Sequence, residues 1–326
     1  MIISKTPVRI SIGGGGTDLP SYYRQFGSHF ISAAIDKYIY IIVQERKFFD
    51  EFLLKYSKTE LVKKVGEIDN ELIRGCLRLL KITTPLEIVS ISDVGGQSGL
   101  GSSGSFTVGL LNALHAFKRE VVSQEQLAEE ACHIAIDVLK LPSGKQDEYI
   151  ASFGGVSTFR ISKSGKVRVS REFEDNFIHQ LEYNLYLFGT GIFRDSKTAL
   201  TVQQKATNRL DLEVITNLKT TQRLGKSIRQ ALLAGNGHLF GQLMHKHWLN
   251  KRRRALTTNS QIDGWYELAL NLGAVGGKIM GAGGGGFFLF YFEGDAPKFI
   301  NLMEDNGLWH VPFGFDAYGS KVIVDF

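Results

Sequence analysis

The segment Gly95–Ser105, GGQSGLGSSGS, sets glycines and adjacent serine hydroxyls between a short apolar run (Leu86–Ile91) and a helix-like one (Phe106–Phe117). A strand, a glycine-rich turn and a helix start make an anion cradle. Glycines let backbone N–H groups wrap a phosphate, and the helix N-terminus adds its positive dipole end. Ser102 and Ser103 offer hydroxyls to a phosphate oxygen or to a Mg²⁺ ion bridging phosphates. A tight loop with helix-capping serines accounts for the same residues. Gly99–Gly104 also satisfies G-x-G-x-x-G, but the dinucleotide fingerprint needs a second strand ending in an acidic residue about 20 residues on. Here a helix, then a second capped helix, fills that interval, and the dinucleotide reading is rejected. No Gly-Lys-Ser/Thr closes the loop, so the Walker A pattern fails too.

Two further glycine clusters bear on the choice. Thr6–Asp18, TPVRISIGGGGTD, runs a strand into four glycines and then presents Thr17 and Asp18. Gly276–Gly286, GGKIMGAGGGG, precedes another strand. Glycine loses more backbone freedom on folding than any other residue, so such density makes sense where chain segments or a ligand approach closely.

The elements that would position these loops are mixed rather than strictly alternating. Strands are expected at Ile2–Ile12, Phe30–Ile35 and Tyr38–Gln44. Leu61–Lys81 has helical spacing, with Leu72, Cys76, Leu79 and Leu80 on one side. Ser123 and Gln126 form a capping box, followed by an apolar stripe of Leu127, Ala131, Ile134 and Val138 that ends before Pro142. Val156–Arg160, Val167–Ser170 and Asn184–Phe188 read as strands, and Ala199–Asn250 as mostly helical with a break at Gly235–Gly237. A helix at Ser260–Leu272, a loop at Gly276–Gly286, a strand at Phe287–Phe292, a short helix and a strand at Lys321–Phe326 close the chain. The expected fold class is α+β with two domains, 1–165 and 166–326, divided near the turn Ser162–Lys166.

Composition is that of a soluble globular enzyme: 326 residues, 43% hydrophobic and 22% charged. The amino-terminal segment lacks the pattern of a secretory signal, and no apolar run reaches membrane-spanning length. Cys76 and Cys132 match no metal spacing and read as buried thiols, which points to the cytoplasm. The net charge of +5 is scattered, with one tight cluster at Lys251–Arg254. That run is either a solvated helix face or a contact for an anionic small molecule; nucleic acid and membrane partners are not expected.

Taken together, PVRIS…GGGGTD, SGLGSSGS and KIMGAGGGG, in this order and spanning the chain, resemble the three motifs of the GHMP kinase superfamily. Within it, GGGTDLPSYY, the GKQDEY segment at Gly144–Tyr149 and the HWLNKRR-to-GAVGGK run are most similar to the heptose 7-phosphate kinases. Octose, sedoheptulose phosphate and fucose kinases share much of this wording, and a non-catalytic sugar or nucleotide sensor on the same fold is the reading from another class.

The resemblance implies a two-domain fold with the active site at the domain interface. It also implies ATP- and Mg²⁺-dependent phosphorylation of a sugar phosphate at its anomeric hydroxyl, and leaves a homodimer open. It assigns catalysis to Asp147, as acceptor of the hydroxyl proton, with Arg9 stabilising charge. Nucleotide phosphates fall to Gly96, Ser98, Gly99, Leu100, Gly101, Ser102, Ser103 and Gly104. The sugar falls to Gly15, Gly16, Thr17 and Asp18, with Arg194 and Lys251–Arg254 as candidates for a substrate phosphate. Gly15 and Gly16 replace the Glu and His of galactokinase-like relatives, which argues against galactose. Lys278, Gly281, Gly283 and Gly284 would support the loops. In the family a metal-binding Glu precedes the GKQD segment, where this chain has Ala135, so Ser103 would hold Mg²⁺ without its usual partner. Asp137, about 200° further round the helix, cannot simply substitute.

Overall fold

The computed structural model describes residues 1–96, 98–192 and 196–325, apart from the side chains of Ser196 and Lys197. Strand β1 (Ile2–Gly13) is buried along most of its length. Its period of two sends Val8, Ile10 and Ile12 into the core, while Arg9 and Ser11 emerge on the opposite face, in a cleft. Past the glycines, Pro20 at the first turn of α1 (Pro20–Phe26) starts a helix where its missing N–H has no intrahelical partner to lose. The next strand, β2 (Ser28–Glu45), is continuous where two strands were expected. Pro7 pairs with Tyr38 and Val8 with Ile35, so Asp36 and Lys37 form a bulge and pairing resumes beyond it.

Short strands β3 (Phe52–Lys55) and β4 (Thr59–Val62) come next. The helix expected over Leu61–Lys81 is confined to α2 (Glu71–Leu79). The Glu60 carboxylate takes the N–H groups of Asp69 and Asn70, and Asn70 Oδ1 caps Leu72 and Ile73, so the α-helix begins only there. Strand β5 (Leu86–Ser92) enters the glycine loop, and α3 (Ser102–Phe117) leaves it. The Ser123 hydroxyl caps α4 (Gln124–Cys132) as its capping box predicts, and the chain continues as a wide π-type turn over His133–Val138. Helix α5 (Gln146–Phe153) and strands β6 (Val156–Ile161) and β7 (Val167–Ser170) follow.

The second half holds α6 (Asp175–Tyr183), β8 (Leu185–Gly189), α7 (Ser196–Asn208), α8 (Leu212–Leu233), α9 (Gly237–Lys251) and α10 (Ser260–Asn271). Then come β9 (Gly276–Ile279), β10 (Phe287–Tyr291), α11 (Ala296–Asp305), β11 (Trp309–Val311) and β12 (Lys321–Asp325). Strand β9 corrects the expectation that all of Gly276–Gly286 is loop: four residues of it pair with β10. Phe326 falls outside the described residues.

Two sheets organise these elements. The larger has the order β12-β1-β2-β5-β3-β4, with β6 on β2 and β7 on β6; the smaller is β11-β8-β10-β9. An aromatic core of Trp248, Tyr266, Phe288 and Phe290 backs the smaller sheet, and an aliphatic core backs the larger. This is the expected α+β class. The turn Ser162–Lys166 joins two paired strands of one sheet, and β12 returns from the carboxy-terminal end to pair with β1. We therefore propose a division after β7 rather than at residue 165, with β12 given back to the first sheet.

Candidate active site

The first turn of α5 carries Asp147 into the cleft, and the exposed face of β1 brings Arg9 to meet it. Arg9 Nε and Nη2 donate to Asp147 Oδ1 at 2.8 and 2.7 Å, and Nη1 donates to the Gly99 carbonyl at 2.5 Å. One guanidinium therefore ties the carboxylate to the phosphate loop. The approach depends on Gly104, where a Cβ would lie 2.7 Å from the Asp147 Cβ.

A cleft of ≈ 1020 Å³ runs from this pair in two directions. One end is walled by Ser98, Gly99, Gly101, Ser102 and Ser103 at the start of α3, as expected of a phosphate cradle. The Ser98 and Ser102 hydroxyls share a hydrogen bond of 3.1 Å. Leu100 acts differently from the expectation: its side chain is buried in the core, and its carbonyl accepts from Arg9 N–H at 2.9 Å. Gly96 is exposed and outside the cleft wall. The third glycine cluster packs directly on this loop: a Cβ at Gly281 would lie 2.7 Å from Gly99 Cα, on a residue whose φ is +61°. Gly284 N–H donates to the Thr257 carbonyl, anchoring Gly283 and Gly284 behind it. Lys278 Nζ donates to the Ile12 carbonyl at 2.9 Å and so ties β9 to β1. Burial, then the charges of Arg9 and Arg254, lower its pKa to about 7.

The other direction leads past Gly15, Gly16 and Asp18. Asp18 Oδ1 accepts from Gly16 N–H at 2.9 Å and Oδ2 from Gln146 N–H at 3.2 Å. Its pKa is raised by burial and then by the charge of Asp147. Thr17, expected to touch sugar, is turned away. Its hydroxyl donates to the Gly14 carbonyl and meets Ser28 Oγ at 2.7 Å, in the fully buried interior. Arg194 lies outside the described residues.

Sequence reasoning missed several cleft residues. Gln146 Nε2 donates to Ser11 Oγ at 3.0 Å, fixing the floor between Asp18 and Asp147. His247 Nε2 accepts from Gly14 N–H at 3.3 Å, which places the ring proton on Nδ1, and burial holds the ring neutral by driving its pKa well down. Beside Asp147, the buried Glu148 has no hydrogen-bond partner for Oε2 among the described residues. Burial, then the charge of Asp147, lifts its pKa to about 8. The Lys251–Arg254 run signalled part of this wall; which of its members face inward depends on where α9 ends.

The donors present suit a Mg²⁺ ion carried largely by nucleotide. Ser103 offers a hard oxygen in the cleft, while Ala135 is a buried methyl outside its wall. Asp137 is exposed and paired with His133 Nδ1 at 3.1 Å, so it does not replace the absent carboxylate. Among the described residues, no group of three or more His, Cys, Asp or Glu could hold a metal. Mg²⁺ keeps several waters when bound through phosphates, and Ser103 fits that coordination.

Comparison with known proteins agrees with this geometry. The GHMP kinases N terminal domain model matches residues 55–155 and the GHMP kinases C terminal model matches 228–307, together more than half of the chain. A D-glycero-alpha-D-manno-heptose 7-phosphate kinase of Campylobacter jejuni is 26% identical over 93% of this chain and 92% of its own. A mevalonate kinase of Methanothermobacter thermautotrophicus is 26% identical over 85% of this chain and 87% of its own. Among solved structures, a D-glycero-D-manno-heptose 1-phosphate kinase from Bacteroides thetaiotaomicron superposes with a TM-score of 0.82 at 22% identity, covering 100% of both chains. The galactose complex of Lactococcus lactis galactokinase gives 0.76 at 18% identity, covering 98% of this chain and 94% of that one. On its motifs, its fold and both matching domains, the chain belongs to the GHMP kinase family of ATP-dependent kinases.

Proposed function

We propose that this kinase transfers the γ-phosphoryl group of ATP to the anomeric hydroxyl of a heptose 7-phosphate. The observation that carries the reading is the Arg9–Asp147 pair, set between a glycine-serine phosphate loop and Asp18 in one cleft. The similarity to the Campylobacter jejuni heptose 7-phosphate kinase, over nearly the full length of both chains, supports the choice of sugar.

Phosphoryl transfer asks little covalent work of a protein and much positioning. The acceptor oxygen attacks the γ-phosphorus, the bond to the ADP oxygen breaks, and the acceptor proton passes to Asp147. Arg9 orients that carboxylate through two N–H donors to Oδ1 and offsets negative charge gathering at the transferring group. The N–H groups at the start of α3 cradle the nucleotide phosphates, and Asp18 orients the sugar. Ser103 would hold Mg²⁺, which when bound neutralises charge on the nucleotide phosphates.

The test is a coupled ADP-release assay with D-glycero-D-manno-heptose 7-phosphate, sedoheptulose 7-phosphate, fucose and galactose, with ³¹P NMR on the product. Turnover highest with the heptose phosphate, and a new phosphorus signal coupled to the anomeric proton, is the expected outcome. A faster reaction with another acceptor, or phosphate on another carbon, would overturn the assignment.

A further inference from the structure

Four cations line the cleft with no acidic partner among the described residues: Arg253, which is exposed, and three that neutral oxygens hold in place. Lys251 Nζ donates to the carbonyls of Ile279 and Gly281 at 2.7 Å each, and Lys278 Nζ to that of Ile12. Arg254 Nε donates to Asn217 Oδ1 at 2.6 Å and Nη2 to Thr221 Oγ1. Neutral oxygens hold all three, whereas Arg9 in the same cleft has a carboxylate. Burial drives the pKa of Lys251 well down and that of Arg254 to about 10, the mark of charges desolvated without compensation. Such a wall is prepared for anions.

The cations belong to different ends. The Gly281 carbonyl gripped by Lys251 is part of the loop packed on Gly99, so Lys251 serves the nucleotide end. Arg254 stands at the acceptor end: a Cβ at Gly16 would lie 3.0 Å from its Nη1, and Gly16 N–H is the group bound to Asp18. Gln203 closes the same corner, donating to the Gly16 carbonyl at 2.9 Å. Among the described residues Arg254 Nη1 has no hydrogen-bond partner. Behind the guanidinium, Asn250 Nδ2 donates to Thr221 Oγ1 and Asn217 Nδ2 to the Asn250 carbonyl, an amide brace that fixes its plane in advance.

We infer that Arg254 is the receptor for a phosphate group already carried by the acceptor, remote from the hydroxyl being phosphorylated. A planar guanidinium with a free edge suits a phosphate monoester, and one held by neutral groups gives up no ion pair to bind it. The inference rests on the kinase reading of the cleft and adds the group that selects a phosphorylated sugar over a plain one.

Steady-state kinetics of wild type, Arg254→Gln and Arg254→Lys with D-glycero-D-manno-heptose 7-phosphate and with the unphosphorylated heptose test it. Calorimetric titration of the heptose 7-phosphate without ATP runs alongside. The expected result is that Arg254→Gln shrinks the preference for the phosphorylated acceptor by about 100-fold, through KM, with a parallel loss of calorimetric affinity. Arg254→Lys restores part of both and serves as the folded control. An undiminished preference, or equal losses on both acceptors, overturns the inference. Should wild type turn over neither acceptor, the substrate assignment fails while calorimetry still decides the subsite. Binding weakened by Arg254→Gln supports it; unweakened or absent binding rejects it.

Discussion

Arg9 and Asp147 form a two-nitrogen contact on a single carboxylate oxygen, Oδ1, which leaves Oδ2 to the cleft. Arg9 is nearly buried and Asp147 is 29% exposed, so the arginine is the enclosed member and the carboxylate the one open to the cleft. The third guanidinium nitrogen binds the Gly99 carbonyl, so the same side chain registers the glycine-serine loop against the Asp147 carboxylate.

Removing that register should cost turnover more than ATP binding. Arg9→Met is expected to lower kcat by about 10²–10³-fold, the loss typical of one preorganised charge-stabilising donor. Calorimetric affinity for ATP should change far less. A variant whose ATP affinity collapses while kcat holds would reassign Arg9 to ground-state binding.

Glu148 makes stability depend on pH with a defined sign. Its carboxyl is raised from 4.5 to about 8 by burial and then by Asp147. Between those values the unfolded chain ionises this group while the folded protein keeps its proton. The folded state binds more protons, so this group's contribution becomes less favourable as pH rises through the window and imposes no penalty below it. Glu148→Gln keeps the shape of the protonated form and should raise the melting temperature by a few degrees at pH 8–9 but not at pH 4.5. Equal gains at both pH values would refute this.

The Mg²⁺ requirement is expected to respond to a change at Ala135. Ala135→Glu should return a carboxylate to the turn before the GKQD segment and lower the Mg²⁺ concentration needed for half-maximal turnover. An unchanged Mg²⁺ dependence in a variant of normal melting temperature would show that this position has no bearing on the metal.

What the sequence made legible was local and glycine-marked. The glycine clusters and the capping box at Ser123 announce their conformations through residue chemistry; α4 begins where its cap places it, while α3 begins at Ser102, inside the expected loop rather than at Phe106. Asp147 and Arg9, named through motif resemblance, are brought into contact in the cleft. The bulge at Asp36–Lys37 was not legible, because a polar pair inside an apolar run looks like a turn until its partner strand is known. The start of α2 was hidden for a related reason: Glu60, many positions away, claims the N–H groups before it. Thr17 was misjudged because its hydroxyl is engaged by the Gly14 carbonyl and by Ser28 Oγ at the start of β2, partners that only the folded chain brings to it. In the basic run, Lys251, Arg253 and Arg254 line the cleft while Arg252 turns toward Asp263, 3.8 Å away, and composition cannot sort inward from outward charges.

The central claim is that Asp147 accepts the proton of a sugar phosphate hydroxyl in an ATP-dependent transfer. The most direct measurement is single-turnover ADP formation by wild type and Asp147→Asn with heptose 7-phosphate, with ATP binding followed by calorimetry. The account predicts sugar-dependent ADP release in wild type, a fall of about 10²–10⁴-fold in the variant, and retained ATP binding. ATP and sugar binding in wild type without turnover, or an Asp147→Asn variant as fast as wild type, would contradict it.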